Sequence, residues 1–405
     1  MSVADPMVRL ENQPWMLAAR QVMDALDEVQ PGCARFVGGC VRNALLKEPV
    51  ADVDIATQLT PEEVERACRR AGMSVHPTGI EHGTLTVVAA HVAYEVTTLR
   101  RDVETDGRRA VVSFTRDWGE DAQRRDFRMN ALYADGEGNI FDPTGGGLDD
   151  ISLRRIVFVG DAETRIREDF LRILRFFRFH AWYGSGDPDP AGLDCCGRLR
   201  AGLTMISAER IWMETRKLFA APRPLAALEA MHQAGVLDQL FPDARGLSLI
   251  SRLLEVEGAA KARVDPLLRF LALFWKDPTA VRHAAGRLKM SNEERDRLCF
   301  AAQDETPLRD DMTPAEVRAA VYRAGQQVIV DRAMLEWARG GGLLWPEVIH
   351  LARTWVRPAL PVSGRDLLAV GGVAGPEMGV ALRRLEAVWI ESDFALGRED
   401  LLARL

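Results

Sequence analysis

The strand signal of this chain ends near Gly160, and that change limits the possible folds more than any other feature. Upstream, ADVDIAT, TLTVVAA, AYEVTTL and AVVSF are short β-branched runs separated by turns and by one helical segment, PEEVERACRRAG. Before them, residues 14–30 carry apolar residues at helical spacing up to the Pro31-Gly32 breaker. ARFVGG then reads as a strand entering a glycine turn, and VRNALLK as the opening of a helix. NIFDP adds one more short strand. The strands lie too close together for regular βαβ crossovers. The expectation is therefore a mixed, mainly antiparallel sheet with helices on one side, an α/β head rather than a doubly wound fold.

After Gly160 the strand signal stops. RIREDFLRILRFFRFHAWYG reads as one strongly amphipathic helix, and SAERIWMETRKLF as another with Ser207 as its N-cap. From there to Leu405 the pattern is helices joined by Pro- and Gly-containing turns. At 405 residues the chain exceeds what one core organises. The expected plan is a head at 1–150, a helical neck at 151–220, and an all-α body at 221–355. An all-α tail at 356–405 follows the composition break marked by Pro358 and Pro361.

A net charge of −7 argues against a protein coated on every side by nucleic acid, yet leaves room for a local basic groove that steers a polyanion. The six cysteines form no C-x-x-C unit and read as buried thiols of a reducing compartment. No segment has the apolar core of a signal peptide or the length to span a membrane, so a cytoplasmic protein is expected.

Chemistry concentrates in the head. Asp52 and Asp54 are two apart in a strand-like run, which would project both carboxylates from one face of the sheet. Such a pair can hold two divalent cations beside a triphosphate, one activating a hydroxyl and the other neutralising the leaving pyrophosphate. A solvated strand end gives the same pattern. Gly38 and Gly39 stand between a strand and a helix, where backbone N–H groups can approach phosphate oxygens, and Arg42 follows within the first turn. An ordinary strand-to-helix connection looks the same in sequence. Glu95, in AYEVTTL, is a third acid that could complete the cluster or simply be exposed.

GGCVRN with DVDIAT, YEVTTLR, RRDFRMNA, FDPTGGGLDD, REDFLRILRFFRF and AERIWME occur in this order between about Arg35 and Phe219. In that order they resemble the class II tRNA nucleotidyltransferase and bacterial poly(A) polymerase family. The resemblance implies a catalytic cluster of Asp52, Asp54 and Glu95 that uses two magnesium ions. It implies triphosphate binding by Gly38, Gly39, Arg42 and Arg125, and a sugar-holding or site-ordering role for Asp126 and Asn130. CTP, ATP and tRNA are the implied partners, with no membrane.

The same resemblance implies that Asp169 and Arg172 read the incoming base. Cytosine N4 and adenine N6 donate to a carboxylate, while cytosine N3 and adenine N1 accept from an arginine. Uracil and guanine leave the carboxylate unpaired, a penalty of about 1–3 kcal/mol. Three apart on a helix, the two residues share a face; a surface helix with i,i+3 ion pairs carries the same charges, but here the acid–base pair stands in motif order. Arg175 and Arg178 continue the spacing and suit phosphates or RNA. The apolar residues between them pack the helix into its neighbours. Arg210 and Glu214, from the E-R-x-x-x-E element, are spaced for an i,i+4 bridge. RRDVETDGRRA resembles the family's flexible loop and also reads as an ordinary hairpin loop.

Two residues depart from the family pattern. Asn43 replaces an Asp and can orient Arg42 only through a neutral hydrogen bond. Arg128 replaces a Thr and would add positive charge near the site. The implied activity is addition of C, C and A to tRNA, with poly(A) synthesis or partial A-only or CC-only addition as the nearest alternatives. A non-catalytic RNA-binding relative is the alternative from another class.

Overall fold

The computed structural model describes residues 9–10, 13–106, 109–371 and 375–405, with 102–106 and 109–112 described in their backbone alone. The chain divides into two compact units, Met1–Pro242 and Asp243–Leu405.

The first unit is built on a seven-stranded sheet. β1 (Ala34–Val37) and β2 (Asp54–Thr57) lie at its centre. β3 (Ser74–Gly79), β4 (Thr84–Ala89) and β5 (Val92–Thr98) extend one side, and β8 (Tyr133–Ala134) and β9 (Ile140–Phe141) the other, in the order 3-4-5-2-1-8-9. Only β2 and β5 run parallel; every other pairing in this sheet is antiparallel, as the close strand spacing requires. β6 (Arg100–Asp106) and β7 (Arg109–Phe114) form a separate ribbon, so the RRDVETDGRRA segment is mostly paired strand. Its turn residues 107–108 lie outside the described residues.

The sheet buries Val37, Ala56, Leu99, Tyr133 and Val159 in one cluster. The helix Pro61–Arg70, started by a capping box at Thr60 and Glu63, packs on β3 to β5 and on the helix Arg20–Asp27. The expected helix over 14–30 is two pieces, Pro14–Ala18 and Arg20–Asp27.

Downstream, the expected single helix through REDFLRILRFF is also two. Ala162–Glu168 ends, Asp169 adopts an extended backbone (φ −153°, ψ 104°), and Leu171–Tyr183 begins. The carboxylate explains the break: Asp169 Oδ1 accepts the Leu171 N–H at 3.1 Å, competing with helical bonding at that point. The ring of Phe170 then lies so close to Gly202 that a Cβ there would fall 2.1 Å from it.

Leu171–Tyr183 is anchored to the head by aromatic packing. Phe127 lies 5.0 Å from both Phe158 and Phe179, and Phe158 stacks on Phe176 at 5.5 Å. Burial of each ring stabilises the fold by roughly 1.5–3 kcal/mol. The intervening Leu171, Ile173, Leu174 and Phe177 are buried as well, which is the packing role expected of them.

The second unit is all helical in its described residues. One of its cores gathers Tyr322, Val362, Leu367, Leu385, Trp389 and Leu401, and a fully enclosed Arg269–Glu257 pair joins two of its helices. No helix among the described residues is long and apolar enough to cross a membrane.

Candidate active site

At the end of β1 the chain enters a turn only glycine adopts readily: Gly38 has φ 73° and ψ −118°. It leads directly into the helix Gly39–Leu46, whose first-turn N–H groups lack intrahelical acceptors. Here the strand-turn-helix expected from the sequence is in place. Cys40, sealed beneath the turn, is pushed up to about 11 by burial and stays an inert thiol.

β2 begins at Asp54. Asp52, expected in the same strand, lies before it and is exposed, because β1 has already turned away at Gly38 and offers no further partner. The third acid, Glu95, is exposed, but strand pairing fixes its position. Asp54 and Glu95 are directly paired across the parallel β2–β5 ladder, so both project from one face. Burial, then the Glu95 charge, raises the Asp54 carboxyl above its ordinary range; Arg125 opposes this and Asp52 adds to it. Carboxylate oxygens are hard donors of the kind a divalent cation accepts, and such a cation would offset the like charge that presses on Asp54. Among the described residues, no three such side chains already converge on a ready-made metal site.

Apart from Asp52, Glu95 and Arg178, every residue proposed from the sequence lines one cavity of about 410 Å³, Gly38, Gly39 and Asp54 included. Its wall is a hydrogen-bonded chain of side chains. Arg42 Nη1 donates to Asn130 Oδ1 at 2.6 Å, Asn130 Nδ2 donates to Asp126 Oδ1 at 3.0 Å, and Asp126 Oδ2 accepts Arg175 Nε at 2.8 Å. Burial alone would raise Asp126, but Arg175, Asn130 and the Phe127 N–H bring it down to about 2. Arg175 also approaches Glu214, which accepts from Arg178. Arg175 and Arg178 are thus tied to buried carboxylates, a bracing arrangement rather than the free phosphate-facing pair expected from their spacing.

Arg125 donates to Asp121 Oδ2 at 2.9 Å through Nη2, and its Nη1 sits beside the Gly38 turn. Asp121 was not foreseen. It is 1% exposed and also takes Arg124 at 2.7 Å and the Tyr133 hydroxyl at 2.7 Å. Burial would raise it, yet these partners hold it at about 2. Its position three and four residues before two arginines was the available signal.

At the far end, Asp169 and Arg172 both line the cavity but do not share a helix face, since Asp169 sits in the break between helices. Asp169 Oδ2 accepts Arg210 Nη2 at 2.7 Å. Arg172 Nη1 donates to the Arg165 carbonyl at 2.7 Å and to Glu168, and Nη2 to the Arg124 carbonyl. The i,i+4 bridge expected between Arg210 and Glu214 is therefore replaced by two long-range pairs, Arg210–Asp169 and Glu214–Arg178. Ser207 is the N-cap residue of the helix Ala208–Phe219, but without a side-chain cap bond.

The two departures resolve differently. Asn43 Oδ1 accepts Arg42 Nη2 at 2.8 Å and Nε at 3.1 Å, the neutral hydrogen bond expected of it. Arg128 is turned to a carboxylate and does not line the cavity: it forms a two-point pair at 2.7 and 2.9 Å with the fully buried Asp150, which also accepts from Arg155.

A family model described as "Poly A polymerase head domain" matches residues 34–157, and one described as "Probable RNA and SrmB- binding site of polymerase A" matches 195–247. The CCA-adding enzyme of Streptococcus pneumoniae is 41% identical over 92% of this chain and 92% of its own length. The mitochondrial CCA tRNA nucleotidyltransferase 1 of Homo sapiens is 33% identical over 91% of this chain and 85% of its length. Among solved structures, the Bacillus stearothermophilus CCA-adding enzyme in complex with CTP superposes with a TM-score of 0.74 at 29% identity, covering 94% of both chains.

Proposed function

The chain belongs to the family of CCA-adding tRNA nucleotidyltransferases, and from that premise we propose that it completes the tRNA 3′ end, adding C, C and A from CTP and ATP with release of pyrophosphate and without a nucleic-acid template. The observation that carries this reading is the single cavity that holds the Gly38-Gly39 turn and Asp54 together with Asp169 and Arg172. Transfer chemistry and base reading then occur in one space.

Asp52 and Asp54, assisted by Glu95, would hold the two divalent cations, magnesium in this reading, which when bound would favour ionisation of the attacking hydroxyl and neutralise the departing pyrophosphate. The Gly38-Gly39 turn, Arg42 and Arg125 receive the triphosphate through backbone N–H groups and guanidinium hydrogens. Asp126 and Asn130 order the site, since their polar atoms are already engaged by Arg175 and Arg42. Arg175 and Arg178 brace the neck against the same acids.

Asp169 keeps lone pairs for an exocyclic amino group beyond those taken by Leu171 and Arg210, and Arg172 keeps its Nε hydrogen and one on Nη2 for a ring nitrogen. A carbonyl in place of the amino group faces a carboxylate with no proton to offer. The division into head 1–150, neck 151–220, body 221–355 and tail 356–405 belongs to this reading, with RNA held along the helical part. So does action in the cytoplasm, with which the free buried thiols agree.

The experiment is Asp52→Ala, assayed for nucleotide incorporation and for tRNA binding. Incorporation should vanish while binding persists; retained turnover would refute the metal assignment.

A further inference from the structure

Six arginines line the cavity, and five are bonded directly to a carboxylate. Arg124 and Arg125 share Asp121, Arg172 takes Glu168, Arg175 takes Asp126 and Arg210 takes Asp169. Arg42 is the exception among the described residues. It is 7% exposed, yet its bonds go only to neutral acceptors: Asn43 Oδ1 from Nε and Nη2, Asn130 Oδ1 from Nη1, and the Tyr183 hydroxyl from Nη2 at 2.9 Å. Its guanidinium carbon lies 4.1 Å from the centre of the Tyr183 ring.

Two consequences follow. A guanidinium has five N–H donors, and these four bonds leave one hydrogen on Nη1. No carboxylate touches the group either: Asp126, reached through Asn130 and already paired with Arg175, acts on its charge only at a distance. A direct carboxylate partner would cancel most of the field an incoming anion feels, whereas hydroxyl, amide and ring hold the group in place and leave its charge available. Burial lowers the affinity of Arg42 for its proton, with Tyr183 the foremost group acting against that; an arginine remains charged regardless.

We propose that Tyr183 is a positioning residue for the incoming nucleotide, fixing Arg42 so that its charge, tied to no carboxylate, and its remaining Nη1 hydrogen meet the triphosphate. Tyr183 is the last residue of the helix Leu171–Tyr183, and Arg172 lies in the first turn of that helix. One rigid element therefore sets both the arginine that reads the base and the frame of the arginine that meets the phosphates. The inference rests on the triphosphate reading of Gly38, Gly39 and Arg42.

The test compares wild type, Tyr183→Phe and Arg42→Met in steady-state kinetics and in calorimetric binding of magnesium tripolyphosphate. Tyr183→Phe keeps the ring and removes only the hydroxyl. The expected result is a KM for CTP and ATP raised about 5–10-fold with little change in kcat or in KM for tRNA, and tripolyphosphate binding weakened by the same factor. Unchanged tripolyphosphate binding in Tyr183→Phe, whatever its thermal stability, overturns the positioning role. If Arg42→Met binds tripolyphosphate as wild type does, the triphosphate reading itself fails; if only Arg42→Met is weakened, Tyr183 alone loses its assignment.

Discussion

Arg210 Nη2 donates to Asp169 Oδ2 at 2.7 Å, joining residues 41 apart in sequence, with both side chains about a quarter exposed or less. Together with the Leu171 N–H on Oδ1, this bond fixes the plane of the carboxylate proposed to read the base. Base discrimination then depends on a residue that need not touch the base.

Arg210→Ala should therefore loosen selection before it abolishes transfer. The ratio of kcat/KM for CTP over UTP is expected to fall about tenfold, the worth of one charge-assisted orienting bond. An unchanged ratio would show that Asp169 is held in place without Arg210.

Asp54 should trade stability for function. Its folded-state pKa is raised, by burial first and by Glu95 second. For a carboxylic acid this means the folded state keeps its proton to higher pH than the unfolded chain does, so stability drops as pH rises through that interval. Asp54→Asn removes the penalty. At pH 7 without divalent cations the variant should melt above wild type, while incorporation falls about 10³-fold or more. Magnesium should raise the melting temperature of wild type and leave Asp54→Asn nearly unmoved. A variant that melts lower would contradict the like-charge description of the cluster.

Asp126 should behave in the opposite sense. Its folded value of about 2 lies below the usual unfolded value near 3.9. Its contribution is thus complete above about pH 4 and is lost as pH falls toward 2, on the order of 2 kcal/mol. Urea unfolding of wild type and Asp126→Asn between pH 2 and 6 checks this: the stability difference between them should shrink as the pH is lowered. A difference independent of pH would mean that Asp126 is not held ionised by Arg175.

Much of this site could be read from residue patterns. Gly38-Gly39 before a helix, Asp54 in its strand, and the order of the arginine-bearing segments are local features, and local geometry follows from them; the strand register that sets Glu95 beside Asp54 is not local. What could not be read has identifiable causes. β3 was missed because SVHPTG is polar and contains Pro77, which an edge strand pairing only with β4 tolerates at its irregularity. β6 was hidden by its charge. The break at Asp169 depends on a side chain capping the next helix, which a period of 3.6 cannot register. The partners of the buried arginines were the least legible. Arg128 found Asp150, and Arg42 found Tyr183 at a separation of 141 residues, through packing that no spacing rule encodes.

The most direct measurement is incorporation by the wild-type protein into tRNA lacking its 3′ CCA, supplied with CTP alone, ATP alone, or both. Growth by two C residues with CTP, and completion to CCA when ATP is added, is the expected result. Failure to incorporate CTP, or long A tails from ATP alone, would contradict it and turn the same site toward A-only addition or poly(A) synthesis.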